Sequence, residues 1–272
     1  MRPASALPTT AFAVAAALSV ANVYYAQPLL DTLAAAFGIA PAAVGGVVTA
    51  TQLGCALALL FVVPLGDIWP RRRLMRAQLV LLVAALLLTA MASTPAALLL
   101  GMLATGLLGT ACTQGFIAYA AALAPPASRG RIVGTVQAGV MVGLLGARVL
   151  SGAVADLGGW RAVYLGSAAL MLATLLWLWR RLPAQVPSPP TAGAAWWRQP
   201  LALLELLARE HTLQVRGTVA LLLFAALSIL WSALALVLAA PPYGWSHTAI
   251  GALGLVGVAG ALGAARAGRW AD

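Results

Sequence analysis

The sequence predicts an all-α, polytopic membrane helix bundle, on three observations. Hydrophobic residues make up 62% of the chain and charged residues only 8%, whereas a soluble domain carries about 25% charged residues. Eight apolar stretches recur, each near the ~20 residues that a helix needs to cross a bilayer. The gaps between them are by turns crowded with arginine and nearly free of it. Inside lipid the backbone must satisfy its own hydrogen bonds, which leaves helices or a closed barrel. Long runs without period-two alternation select helices.

The first span is placed at Ala11–Leu30. Arg2 and the apolar run after it resemble a signal peptide, but the run continues through Tyr24 to Leu30 and seven more follow, so it reads as a spanning helix. Asn22 and Tyr25 are three apart and share a face with Ser19, and Pro28 is expected to bend the helix end. The remaining spans are placed at Ala42–Val63, Leu74–Ala92, Ala96–Leu123, Ile132–Ala155, Ala162–Trp179, Gly217–Ala239 and Thr248–Ala265.

Arginine fixes the expected sides. Arg71, Arg72, Arg73 and Arg76 follow the second span, Arg129 and Arg131 the fourth, Arg180 to Arg216 the sixth, and Arg266 and Arg269 the eighth. The gaps near Asp31, Ser93 and His247 hold no basic side chain but histidine, and that at Asp156–Arg161 holds one arginine. Positive charge stays in cytoplasmic loops, so the N-terminus is expected in the cytoplasm. The net charge of +10 comes entirely from arginine, without lysine. Its place at helix ends argues for lipid headgroups and topology rather than nucleic acid.

The gap after the sixth span differs. Pro183, Pro187, Pro189 and Pro190 read as an extended linker, Trp196 and Trp197 as a headgroup-level anchor, and Leu201–Glu210 as a short amphipathic helix on the membrane surface. The expected domains are a six-helix bundle over 1–180, a cytoplasmic linker over 181–215, and two helices of an incomplete second bundle over 216–272. Cys55 and Cys112 lie in apolar runs and read as small buried residues.

Two motifs carry a resemblance. The gap after the second span reads VPLGDIWPRRR from Val63 to Arg73, and GRWAD from Gly268 to Asp272 repeats its spacing one half-molecule later. This resembles the loop motif of the major facilitator superfamily, with Asp67, Arg71, Arg72, Gly268 and Asp272 at matching positions; Val63, Ile68 and Pro70 depart from it. The resemblance covers the whole chain. It implies the six-helix N-terminal half and the first two helices of the C-terminal half, a chain truncated after about eight of twelve helices. It also implies that the matched charges form a cytoplasmic gate, broken and remade as two bundles rock about a midplane site.

In the fifth span, Gly143, Ala147, Arg148, Ser151 and Gly152 resemble the family's antiporter signature in size, with Arg148 where that signature has proline. The eighth span repeats glycine every third residue from Gly251. The resemblance implies that these two helices meet at the interface between halves, with Gly139 and Gly143 of the fifth span and Gly254 and Gly257 of the eighth in that contact, since small residues permit close helix approach; the alternative is tight packing within one half. Arg148 is the one basic residue well inside a span. Such a charge needs a partner or a cavity, and Asp31, read as the sole acid near the outer end of a span, is its expected partner unless an anionic substrate group takes that role. Helices one, four and seven line the cavity in the family, which makes Asn22, Tyr25, Gln114 and Trp231 pocket candidates, with Gln52 and Arg148 beside them. Thr105 stands where the family's fourth helix often bears an arginine.

The expected function is secondary active transport of a small molecule by alternating access in a bacterial inner membrane. Protons are the expected coupling ion, Asp31 is the local coupling candidate, and efflux or metabolite transport is the expected task. The alternative is a truncated fragment that inserts without transporting. An enzyme is not expected: His211 and His247 lie outside the spans, no metal-ligand or nucleophile constellation appears, and no paired acids serve acid–base chemistry. No cofactor or metal is expected, and the expected partners are membrane lipid, a small-molecule substrate and protons, with the protein a monomer.

Overall fold

The computed structural model describes residues 9–40, 43–183 and 199–256. The glycines and acid expected at Gly257, Gly268 and Asp272, the proline linker from 184 to 190, and Trp196 and Trp197 lie outside the described residues. Nine α-helices occur among the described residues: α1 Thr9–Tyr24, α2 Leu30–Phe37, α3 Gly45–Leu57, α4 Arg71–Ala90, α5 Pro95–Leu123, α6 Arg129–Trp179, α7 Gln199–Arg209, α8 His211–Ala239 and α9 His247–Ala252. No strand occurs among them, and the chain is an all-α membrane bundle.

The helices divide where their sequences require it. Pro28 lies in a 3-10 turn, Gln27–Leu29, that joins α1 to α2, because proline cannot donate to the helical ladder. The first crossing therefore bends there and continues to Phe37, beyond its expected end at Leu30. The second crossing, begun by α3, passes through a loosely wound π turn at Ala58–Val62 and then a tight 3-10 turn at Val63–Asp67. In α4, Arg71, Arg72 and Arg73 occupy the first turn, where the helix dipole disfavours cations. Their place therefore answers to membrane topology rather than helix stability. Thr94 caps α5 by accepting the Ala97 N–H.

Helix α6 has 51 residues, about 76 Å at 1.5 Å per residue, far beyond the ~30 Å of a hydrocarbon core. It is two crossings folded at Gly159, whose φ of 77° and ψ of 171° break the helix. Only glycine adopts that conformation without a Cβ clash. The reversal is visible in its contacts. Arg161, just past the break, donates to the Ala92 carbonyl, and Trp179, at the far end, lies under Arg76. Six helices among the described residues are long and apolar enough to span, with mean hydropathy between 1.3 and 2.6. Counting α6 as two gives seven crossings, and α9 opens an eighth.

Backbone-to-backbone approach holds the first six crossings together. A Cβ on Gly139 or Gly143 would collide with the Ala13 or Ala17 backbone of α1, and Gly54 and Gly106 bring α3 and α5 equally close. Gly139 and Gly143 thus pack on α1, not on the eighth crossing. Helical rotation explains the difference. Gly152 is nine residues past Gly143, about 900° at 100° per residue, and so lies on the opposite side. That side meets α9, where Gly152 abuts the His247 backbone and Gly251 the Arg148 backbone. Gly254 faces the Arg148 side chain.

Helix α8 packs unevenly. Ala235 and Leu238, near its C-terminal end, are buried against Ile250 of α9. Toward its arginine-bearing start, Leu221, Leu222, Leu223 and Phe224 are exposed.

Gly143→Val is expected to lower stability by about 1–3 kcal/mol through overpacking against Ala17. Gly146→Ala, with nothing within 4 Å of the added methyl, should leave it nearly unchanged. Thermal unfolding in detergent reads both.

Candidate substrate path and its two ends

Arg148 is 6% exposed, in the third turn from the end of the first limb of α6. A buried guanidinium without partners is costly, and four groups surround this one. Its Nε donates to Gln27 Oε1 at 2.9 Å and its Nη1 to the Leu144 carbonyl at 3.2 Å. The rings of Tyr24 and Trp231 lie 5.0 and 4.8 Å from its central carbon, within cation–π range. Gln27 stands where the Pro28 turn reorients the first crossing, so the break in that helix aims the amide at the arginine. The site joins α1, the Gln27–Leu29 turn, α6 and α8.

Arg148 does not pair with Asp31. The Asp31 carboxylate is held by His247, whose Nε2 lies 3.2 Å from both Asp31 oxygens and 2.8 Å from Thr32 Oγ1. Asp31 is one helical turn beyond Gln27, so it reaches the rim while Gln27 reaches the guanidinium. Nor is Asp31 the sole acid there. Asp156 accepts from His247 Nδ1 at 2.8 Å, from the backbone N–H groups of His247 and Thr248 at 3.1 and 2.9 Å, and from the Thr248 hydroxyl at 2.6 Å. The Asp31 carboxylate, seconded by that of Asp156, raises the His247 pKa from its usual 6.5 to about 9. The two carboxylates sit on opposite ring nitrogens, so the three groups do not converge on one point as metal ligands would.

At the arginine-rich end, Asp67 and Arg71 approach to 3.8 Å across one helical turn, with Asp67 well exposed. Such a pair contributes roughly 0–1 kcal/mol, little enough to be made and broken. Arg71 also donates to the Ala118 carbonyl at 2.7 Å. Arg76 lies over the Trp179 ring at 4.6 Å and donates to its carbonyl. Arg72 lies half-buried beside them. Asp67, Arg71, Gln78, Gln114 and Tyr119 line a cavity of about 100 Å³. The Gln78 side chain is buried, and its Oε1 has no partner among the described residues.

The residues expected to line one pocket therefore separate. Arg148 and Trp231 meet. Gln114 faces the cavity behind Asp67. Asn22 is buried inside the first bundle, donating to the Leu18 and Ser19 carbonyls and accepting from Ser167. Tyr25 is 2% exposed, and Gln52 is half-buried on α3. Gln27, Tyr24, Asp156 and His247 are site residues that sequence reasoning did not select. A signal existed for two of them: Gln27 is one of only two amides in an apolar run, and His247 is the one ionisable base of its gap.

The sequence profile of the Major Facilitator Superfamily matches residues 12–272. The chain belongs to that superfamily. It is 42% identical over 264 residues to the uncharacterized transporter YgaY of Escherichia coli O157:H7, covering 95% of this chain and 65% of that one. It is 30% identical over 191 residues to the purine ribonucleoside efflux pump NepI of Escherichia coli O127:H6, covering 69% of this chain and 46% of the pump. The crystal structure of a bacterial homologue of the human lysosomal transporter Spinster, in its inward-facing and unoccupied conformation, shares the fold with a TM-score of 0.70 at 17% identity, covering 93% of this chain and 59% of that one. The chain thus spans less than two thirds of the length of each. It is an integral membrane protein whose relatives are transporters.

Gln27→Leu is expected to destabilise by about 1–3 kcal/mol, since it strands a buried donor. Arg148→Met removes the charge with its need for partners and should cost less. Thermal unfolding of the two variants side by side gives the order.

Proposed function

We propose that the protein acts in secondary transport of a small molecule by alternating access, with its arginine-rich end in the cytoplasm of a bacterial inner membrane. The observation that carries this reading is the Arg148 node. It takes Tyr24 and Gln27 from the first crossing, the guanidinium from the fifth and Trp231 from the seventh, so one buried cation ties the leading six crossings to the seventh. In this reading residues 1–180 form the first bundle, 181–215 a cytoplasmic linker and 216–272 the start of the second bundle, and the bundles rock about that node. Asp67, Arg71 and Arg72 gate the cytoplasmic end through the weak Asp67–Arg71 pair. The similarity to NepI, an efflux pump, supports export as the direction, and protons are the coupling ion.

The substrate meets Arg148 and Trp231, a cation backed by a flat aromatic face, which suits an anionic or aromatic solute. The test is uptake into inverted membrane vesicles with a panel of organic anions, sugars and purine ribonucleosides. Accumulation that collapses with the proton gradient is expected for at least one. No accumulation of any, in membranes where reporter fusions confirm insertion, would leave an inserted but non-transporting chain. Asp67→Asn is expected to lower turnover severalfold while insertion, read by the same fusions, stays unchanged. Fusions after Arg73 and after His247 should report opposite compartments.

A further inference from the structure

His247 sits where three elements meet: the N-terminus of α9, the start of α2 at Asp31, and the end of α6's first limb at Asp156. Both its ring nitrogens face carboxylate oxygens, Nδ1 at 2.8 Å from Asp156 and Nε2 at 3.2 Å from each oxygen of Asp31. A neutral imidazole carries one N–H and one lone pair. It can donate to one of these carboxylates, but it must then turn a lone pair toward the other. Only the imidazolium donates to both. The other charges nearby do not supply this bridge. Arg148 is spent on Gln27 and the Leu144 carbonyl, and Arg161 on the Ala92 carbonyl and the Trp160 ring. The remaining groups on His247 and its neighbours are the hydroxyls of Thr32 and Thr248.

We propose that Asp31, Asp156 and His247 form a proton-binding site that latches the arginine-poor end of the bundle: a proton taken up there lets one imidazolium clasp α2 and α6 to α9. Asp31 and Asp156 belong to the first six crossings and His247 to the eighth, so the clasp closes the seam between the two parts at that rim. The other polar links across the seam at this rim among the described residues are the Thr32 hydroxyl on His247 and the bonds from the Thr248 hydroxyl and the α9 backbone N–H groups to Asp156; the next link inward is the Arg148 node. When the end opens, His247 leaves both carboxylates for water and returns toward the ordinary histidine range, about 6.5. The latched pKa of about 9 lies above that value. The proton's contribution to the latch is therefore full below about pH 6.5, weakens as pH rises through the interval, and is lost above about 9, which leaves the bonds from Thr248 and the α9 backbone N–H groups to Asp156 as the weaker closure. An acidic medium on this side favours the closed rim.

The site rests on the transporter reading only for its place in a cycle; its protonation is read on the folded protein whatever that protein carries. His211 and His247 are the only histidines, so imidazole-nitrogen NMR on ¹⁵N-histidine-labelled His211→Asn protein in nanodiscs reports His247 alone. A proton affinity on the order of 300-fold above free histidine is expected, the gap between about 6.5 and about 9. Asp156→Asn and Asp31→Asn should each lower it at least tenfold, and the double variant should return it to the free value. A wild-type titration near 6.5, or one unmoved in the double variant, overturns the site. Spin labels at Leu157 and Tyr243, 91% and 56% exposed on the same rim, then read the clasp in protein whose native cysteines are replaced. One short distance is expected at about pH 6 and an added longer population at about pH 10, with His247→Gln indifferent to pH. A wild-type distribution identical at both pH values overturns the latch. Loss of transport with both readouts intact would count against the transporter reading alone.

Discussion

A guanidinium held away from water is the constraint around which this bundle is arranged. Moving arginine into a helix centre costs about 2.5 kcal/mol or more, and a carboxylate is the obvious remedy. The fold uses a neutral one. An amide, a backbone carbonyl and two aromatic faces surround Arg148, drawn from three crossings that are far apart in sequence. Neutral partners keep the cation's net charge in place, whereas an ion pair would cancel it. The node thus holds helices together while keeping its positive charge uncancelled. The same arrangement frees Asp31 for the rim, where it meets His247 instead.

The glycines act in support. Gly152 and Gly251 let α6 and α9 touch backbone to backbone beside the arginine, and Gly139 and Gly143 do so against α1 one half-turn around the same helix. One helix therefore presents two smooth faces to two neighbours. In a bilayer, where lipid is as apolar as leucine, such close packing and a few polar links replace the hydrophobic drive that joins helices in water. The exposed leucines and phenylalanine of α8 fit that picture, because lipid is a good solvent for them.

Much of this is legible in the residues. Span positions follow from run length, the bend at Pro28 from its missing N–H, and the two-limbed α6 from the charged gap at Asp156–Arg161. Partner choice is not legible. The rule that a buried arginine seeks an acid points to Asp31, but a one-turn offset between Gln27 and Asp31 decides otherwise, and that offset depends on how a proline turn reorients the chain. The destination of Gly139 and Gly143 is hidden for a related reason. Small-residue spacing shows which face is smooth but not which neighbour it meets. His247 stands out as the one ionisable base of its gap, but a histidine at a helix start has no periodicity to show which acids it meets.

The second crossing ends in two unlike windings, a wide π turn at Ala58–Val62 followed by a tight 3-10 turn at Val63–Asp67. A wide turn leaves room between successive carbonyls, and a tight one has poor hydrogen-bond geometry. In series they make a torsional joint. On one side of it Gly54 is packed against α5; on the other lie Asp67 and Arg71. For the proposed gate, this change of winding lies within the helix that carries Asp67, and a substitution that straightened residues 58–62 would alter how Asp67 is presented while leaving every charge in place.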